Sequence, residues 1–267
     1  MAFREPKVMG IINATPDSFF TQGRHSDVEG ALFMAEQMLA DGAAILDVGG
    51  QSTRPGALPV GAEEEIKRIV PIVEAFQKRF AQVVISIDTY HAAVAKAAVE
   101  AGALMVNDIS AGLLDNKMFQ TISDLKVSYI MMHMQGNPKT MQERPKYDNV
   151  VVNVFDFLQE RLQMAAEFGI NDVMLDVGFG FGKTVEQNYS LLKNLRAFEM
   201  CNKPILVGVS RKSMIYKPLG IDAEQSLNGT TILHTLAIGN GANILRVHDV
   251  KTAMEVIKLH QLYEGVQ

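Results

Sequence analysis

Short apolar runs recur eight times along the chain: Lys7 to Asn13, Ala44 to Gly49, Val83 to Asp88, Leu104 to Asn107, Val127 to Met132, Val173 to Asp176, Ile205 to Val209 and Asn243 to Val247. Their hydrophobicity is continuous rather than alternating, the pattern of parallel strands covered on both faces. Amphipathic stretches of crossover-helix length lie between them, among them Val28 to Leu39, Glu63 to Phe80, Val151 to Phe168 and Ala253 to Tyr263. Gly42, Gly102, Gly169 and Gly241 fall just before strands, where left-handed helix C-caps are expected. Eight such units, with no linker and no dinucleotide-binding fingerprint, predict one α/β domain over residues 1–267. A closed (β/α)8 TIM barrel accounts for them better than a doubly wound open sheet.

That fold locates a site at the C-terminal ends of its strands. The runs end in Asn13, Asp47, Asp88, Asn107, Asp176, Ser210 and the pair Arg246 and His248. A lone Asp at a strand end is accounted for by a salt bridge or a helix N-cap. Asp88 and Asp176 together with Asn107 and Lys212 suggest more, because carboxylates accept paired N–H bonds, an amide both donates and accepts, and a lysine donates to a carbonyl or ring nitrogen. That set suits the edge of a pterin or a guanine. Arg246 and His248 lie two apart, so on an extended strand both face the same way, and with Arg54 they suit a pyrophosphate. The competing reading of Arg246 is a solvated ion pair with Asp249.

Two loops carry donors for an oxygen-rich ligand, Asn13 to Phe20 and Asp47 to Gly56, the second with paired glycines and Ser52, Thr53 and Arg54. The segment Asp176 to Thr184 invites a nucleotide reading. It fails as a phosphate-binding loop, since Val177 stands where the first glycine of G-x-x-x-x-G-K-[ST] belongs. A lid or stacking surface over an aromatic ligand is the reading kept for it, beside plain glycine flexibility. Of the histidines, His91, His234 and His260 are read as structural, and His133 is left open because its strand end could face the cavity.

Composition narrows the partners. With 25 Lys and Arg against 30 Asp and Glu, the formal charge of -5 disfavours nucleic acid and anionic membranes, so an anionic ligand needs locally placed cations. The one cysteine, Cys201, excludes an intrachain disulfide and a multi-cysteine metal site. A charged start and the lack of any bilayer-length apolar run lead us to expect a soluble cytoplasmic protein. The 15 methionines sit mostly in apolar positions and read as core filler.

The motifs Gly10 to Phe19, Gly49 to Gly56, Ser86 to Thr89, Gly178 to Thr184, Ser210 to Ser213 and Arg246 to Asp249 resemble, in order and over nearly the whole chain, those of the dihydropteroate synthase family. The resemblance implies a (β/α)8 barrel that condenses 6-hydroxymethyl-7,8-dihydropterin pyrophosphate with p-aminobenzoate, giving 7,8-dihydropteroate and pyrophosphate with Mg2+ assistance. It implies a pterin held by Asp88, Asn107, Asp176 and Lys212. Pyrophosphate would be bound by Asn13, Thr53, Arg54, Arg246 and His248, with Asn13 also near the metal, and p-aminobenzoate would lie among Pro55, Phe181, Ser210 and Lys212. Asp88, Asp176, Lys212 and Arg246 are the candidate catalytic residues. It further implies a homodimer and a target of sulfonamides. Gln51 departs from the family's usual Glu, Val177 from a common Pro, and Ser18 to Gly23 from its usual first loop. A pterin-dependent methyltransferase and a catalytically silent binding module are the alternatives. The cations at 54, 246 and 248 argue against the first, and the retained Arg54, Lys212, Arg246 and His248 against the second.

Overall fold

The computed structural model describes residues 5–14, 24–51, 60–136, 141 and 145–266, with the side chains of 24–27 left aside. Strands and helices alternate: β1 (Lys7–Asn13), α1 (Arg24–Ala40), β2 (Ile45–Gly49), α2 (Ala62–Arg79), β3 (Ile85–Asp88), α3 (Ala92–Glu100), β4 (Met105–Asp108), α4 (Met118–Leu125) and β5 (Ser128–Met132). They continue as α5 (Val150–Glu167), β6 (Val173–Asp176), α6 (Val185–Lys193), β7 (Ile205–Val207), α7 (Ser213–Leu219), α8 (Leu227–Gly239), β8 (Ile244–Val247) and α9 (Val250–Glu264). All eight strands pair in parallel and in sequence order, and β8 closes on β1 through Lys7↔Ile244 to Gly10↔Val247. The chain is a closed (β/α)8 barrel. Cys201 ends a short 3-10 helix, Leu195–Cys201, between α6 and β7.

The glycines before the strands do what their position predicts. Gly42 and Gly102 adopt φ of +103° and +120°, a backbone that L side chains rarely enter, and each ends a helix just ahead of the next strand. Local chemistry starts helices too. Thr184 and Gln187 form a reciprocal capping box on α6, and the Asn149 side chain accepts from Val151 and Val152 at the start of α5.

Strand alternation sorts side chains into two compartments. Outward residues such as Val48, Ile87, Val106, Tyr129 and Leu245 join the large core between barrel and helices. Inward residues build stacked tiers. The lower tier is apolar: Met9, Ile45, Met105, Ile130, Met174, Leu206 and Ile244 form one buried cluster, with Val84 packed against it. Methionine supplies three of its seven buried members, consistent with core filling. Two residues further along the same strands, Asp47, Ser86, Asn107, Asp176 and Arg246 form a polar tier, with Gly208 on the strand side that faces Lys212 and Arg246. The chemistry therefore begins one pleat above a dry floor.

Candidate active site

Arg246 sits at the centre of the polar tier. Its Nε donates to Asp47 Oδ2 at 2.6 Å and its Nη2 to Asp88 Oδ2 at 2.5 Å. The same Asp47 oxygen accepts from Asn107 Nδ2 at 3.0 Å, so four strands, β2, β3, β4 and β8, are tied through one guanidinium and one carboxylate. Burial drives the Asp88 carboxyl up to about 6, against the pull of Arg246, and neighbouring Asp47 adds to the rise. For Arg246, burial opposes the charge, yet Asp47 and Asp88 hold its pKa above the ordinary arginine value. The arginine is thus an inner ion-pair partner rather than a solvated mate of Asp249. Asp249 instead takes a two-pronged bond from Arg211, at 2.9 and 2.7 Å.

On the facing wall, Asp176 ends β6 buried, and its Oδ1 accepts from Gly178 N at 2.7 Å. Burial raises its carboxyl, with Lys212 pulling the other way. Lys212, at the start of α7, donates to Phe179 O at 2.6 Å and lies 4.9 Å from the centre of the Phe181 ring. Burial lowers its ammonium to about 8 while Asp176 supports the charge. Asp88, Asn107, Asp176 and Lys212 thus surround one mouth, with Phe181 above the lysine.

The segment Gly178 to Gly182 is firmly tied down. Lys183 is buried and its Nζ reaches Gly178 O at 2.8 Å, His133 Nδ1 at 2.9 Å and Phe181 O at 3.0 Å. Asn188 accepts from Gly180 N at 2.7 Å, and Tyr147 donates to Gly182 O at 2.8 Å. A Cβ on Gly178 would stand 1.9 Å from His133 O, and its φ of +73° is itself left-handed, so only glycine is accommodated. These contacts tie the segment down as a wall beside Asp176 and Lys212. His133 is not a cavity residue. Its ring packs edge-on to Phe157, 4.8 Å between centres, and burial with Lys183 lowers its pKa to about 2. Burial in turn holds Lys183 well below the ordinary lysine value.

Nearer the rim, Ser210 Oγ lies 3.0 Å from His248 Nδ1 and accepts from His248 N at 3.3 Å. Asn13 is half-buried at the end of β1, opposite Gly49. Thr53, Arg54 and Pro55 lie outside the described residues. Gln51, two residues past the end of β2, is buried. Tyr90 Oη donates to its Oε1 at 3.1 Å, and its Nε2 donates to Glu65 Oε2 at 3.4 Å. Glu65 is fully buried, its Oε1 has no hydrogen-bond partner among the described residues, and burial raises its carboxyl to about 8. Gln51 thus meets the raised carboxyl of Glu65 as an amide donor on a carboxyl oxygen.

Sequence reasoning placed Asp47 at a run end without a role, met Lys183 only within the rejected phosphate-loop match, and passed over Glu65. The inward alternation Ile45, Asp47, Gly49, set against Ile244, Arg246, His248, was the available signal for Asp47. Glu65 and Lys183 lie on an amphipathic helix and in a glycine loop, where a charged residue ordinarily faces solvent.

This pocket, with acceptors and a cation around its inner wall in a closed barrel, is that of a pterin-binding protein. The pterin binding enzyme family matches residues 9–248, and the chain belongs to that family. The dihydropteroate synthase of Escherichia coli (strain K12) is 44% identical over 256 residues, covering 95% of this chain and 90% of that protein. Among solved structures, the Yersinia pestis dihydropteroate synthase in a sulfonamide drug complex superposes with a TM-score of 0.93 at 39% identity, covering 100% of this chain and 99% of that one. The Xanthomonas albilineans dihydropteroate synthase with 4-aminobenzoic acid gives 0.93 at 39% identity, covering 99% and 95%.

Proposed function

We propose that this chain is an enzyme of the dihydropteroate synthase type, a transferase that joins the 6-methylene carbon of a dihydropterin to the amine of p-aminobenzoate, releasing pyrophosphate. The observation that carries the reading is the acceptor-rich wall of Asp88, Asn107 and Asp176 beside Lys212, in a chain 44% identical to a dihydropteroate synthase over 95% of its length. Acceptors on three strands match the N–H groups of a 2-aminopyrimidinone, and the lysine suits its carbonyl or ring nitrogen.

The chemistry we infer is dissociative. The carbon–oxygen bond to the diphosphate breaks first and its electron pair leaves with pyrophosphate. The arylamine nitrogen then attacks the methylene cation and sheds its proton. Among the described residues, Asp47, Asp88 and Asp176 lie close to Arg246 and Lys212, with Lys183 also near Asp176, and the carboxylates of this inner wall would stabilise positive charge on the ring. His248, with Arg54 and Thr53, would receive the leaving pyrophosphate, and Arg246 would add donors from below. Pro55, Phe181 and Ser210 would flank the p-aminobenzoate. Asn13, a half-buried neutral oxygen donor at the rim, fits a hard divalent cation brought in on diphosphate oxygens. Mg2+ held there would supply further neutralisation of the departing charge. A homodimer in the cytoplasm is part of the same reading; no helix among the described residues is long and apolar enough to cross a membrane.

Incubation with dihydropterin pyrophosphate, p-aminobenzoate and Mg2+ should yield dihydropteroate and pyrophosphate in equal amounts. A well-folded sample that releases neither refutes the activity.

A further inference from the structure

We propose that Asp47 is a specificity-determining positioning residue, which fixes the amide of Asn107 so that the ring-binding wall presents an oxygen, and thereby selects a 2-amino over a 2-oxo heterocycle. The inference rests on the pterin reading above and extends it to a residue behind the wall. A carboxylate oxygen only accepts, so Asn107 can meet Asp47 Oδ2 only through Nδ2, as it does at 3.0 Å. The planar amide then has its Oδ1 turned from Asp47, as an acceptor. Asp176 commits Oδ1 to Gly178 N, which likewise leaves its second oxygen as an acceptor. A ring whose edge carries an amino group meets matching partners there, while a ring with a carbonyl meets oxygen against oxygen.

The geometry of Asp47 supports a positioning role over a stabilising one. A carboxylate beside an arginine frequently engages it with both oxygens. Here Asp47 spends Oδ2 on Arg246 and Asn107 together, while its Oδ1 is buried without a hydrogen-bond partner among the described residues. Ser86, its register partner on β3, also has an unpartnered buried Oγ. Leaving two such groups unsatisfied is unfavourable for folding, and their placement directly behind the inner wall points to function. Arg246 takes part in the same control. Held by Asp47 through Nε, it can bond Asp88 only through a terminal nitrogen, which fixes the plane of its guanidinium.

Calorimetry with 6-hydroxymethylpterin and its 2-oxo counterpart 6-hydroxymethyllumazine tests this on wild type, Asp47→Asn and Asp47→Glu. Wild type should prefer the 2-amino ring by at least about tenfold, since a site built to bond an N–H rejects the analogue that lacks it. In Asp47→Asn the residue both donates and accepts, Asn107 is free to turn over, and the preference should shrink about fivefold or more. Asp47→Glu keeps an acceptor-only group, so its preference should stay near wild type even where both affinities fall. Equal loss of both affinities in the two variants, with the ratio unchanged, would show a scaffold role and overturn the proposal. Near-UV circular dichroism reports whether each variant folds. Asp47→Ser, whose hydroxyl also donates and accepts, carries the same test if the asparagine variant does not. If wild type binds neither ring, the pterin reading itself fails and this inference with it; if wild type binds both equally, only the inference fails.

Discussion

Replacing Glu65 with glutamine should stabilise the protein, and by an amount that grows with pH. The folded carboxyl, fully buried against Gln51, titrates near 8, whereas the unfolded chain returns it to 4.5. Between those values the folded state binds more protons than the unfolded one, so Glu65 lowers stability as pH rises through 4.5 toward 8. Linkage over that window gives about 1 kcal/mol against folding at pH 5 and about 4 kcal/mol at pH 7.5, for a group moved from 4.5 to about 8. Glu65→Gln keeps the shape and a carbonyl to accept from Gln51 Nε2, and has no proton to lose. Urea unfolding followed by far-UV circular dichroism at pH 5 and 7.5 should show the gap between variant and wild type widening by about 3 kcal/mol. In thermal midpoints that is roughly 6–12 °C, at about 2–4 °C per kcal/mol for a domain of this size. A gap that stays constant across those pH values would mean that Glu65 titrates as an ordinary carboxylate.

Four other outcomes follow from the site. Asp176→Asn should weaken binding of a pterin analogue by about tenfold or more in calorimetry, because one acceptor that faces an N–H becomes a donor, worth roughly 1–3 kcal/mol when left unpaired; unchanged affinity would remove Asp176 from the wall. Arg246→Ala leaves Asp47 and Asp88 without their cation and should cost about 3–5 kcal/mol in urea unfolding, while single-turnover release of pyrophosphate slows; normal release would take the arginine out of the departure step. Burial has brought Lys212 down to about 8, so its charge is present below that pH and lost above it; pterin affinity should fall as pH passes about 8, and the inflection should vanish in Lys212→Met. Gly178→Ala should fail to accumulate as folded protein, judged by near-UV circular dichroism, since the added methyl meets His133 O at 1.9 Å.

The strands and most of the mouth were legible in the chain because each apolar run ends where the barrel opens. Asp88, Asn107 and Asp176 announce themselves as polar residues that close hydrophobic runs. Partnership was harder to read. Arg246 is 199 residues from Asp47, and only closure of β8 onto β1 brings β2 and β8 within reach of one another. Sequence offered Asp249, three residues away, as the arginine's mate, and the fold gave Asp249 to Arg211 instead. The glycine run after β6 likewise implied looseness, because its stiffness comes from Lys183, Asn188 and Tyr147, side chains whose inward aim depends on packing.

That stiffness bears on how inhibitors should be sought. Glycine-rich backbone is the most entropically expensive to immobilise, and ordering it costs roughly 1–2 kcal/mol per residue. In Gly178 to Gly182 the loss is incurred when the chain folds, so under the proposed function an incoming flat ring would find its wall already standing. Compounds directed at this side should therefore gain affinity in proportion to shape match and hydrogen-bond pairing, and rigid fragments should perform as well for their size as larger, adaptable molecules.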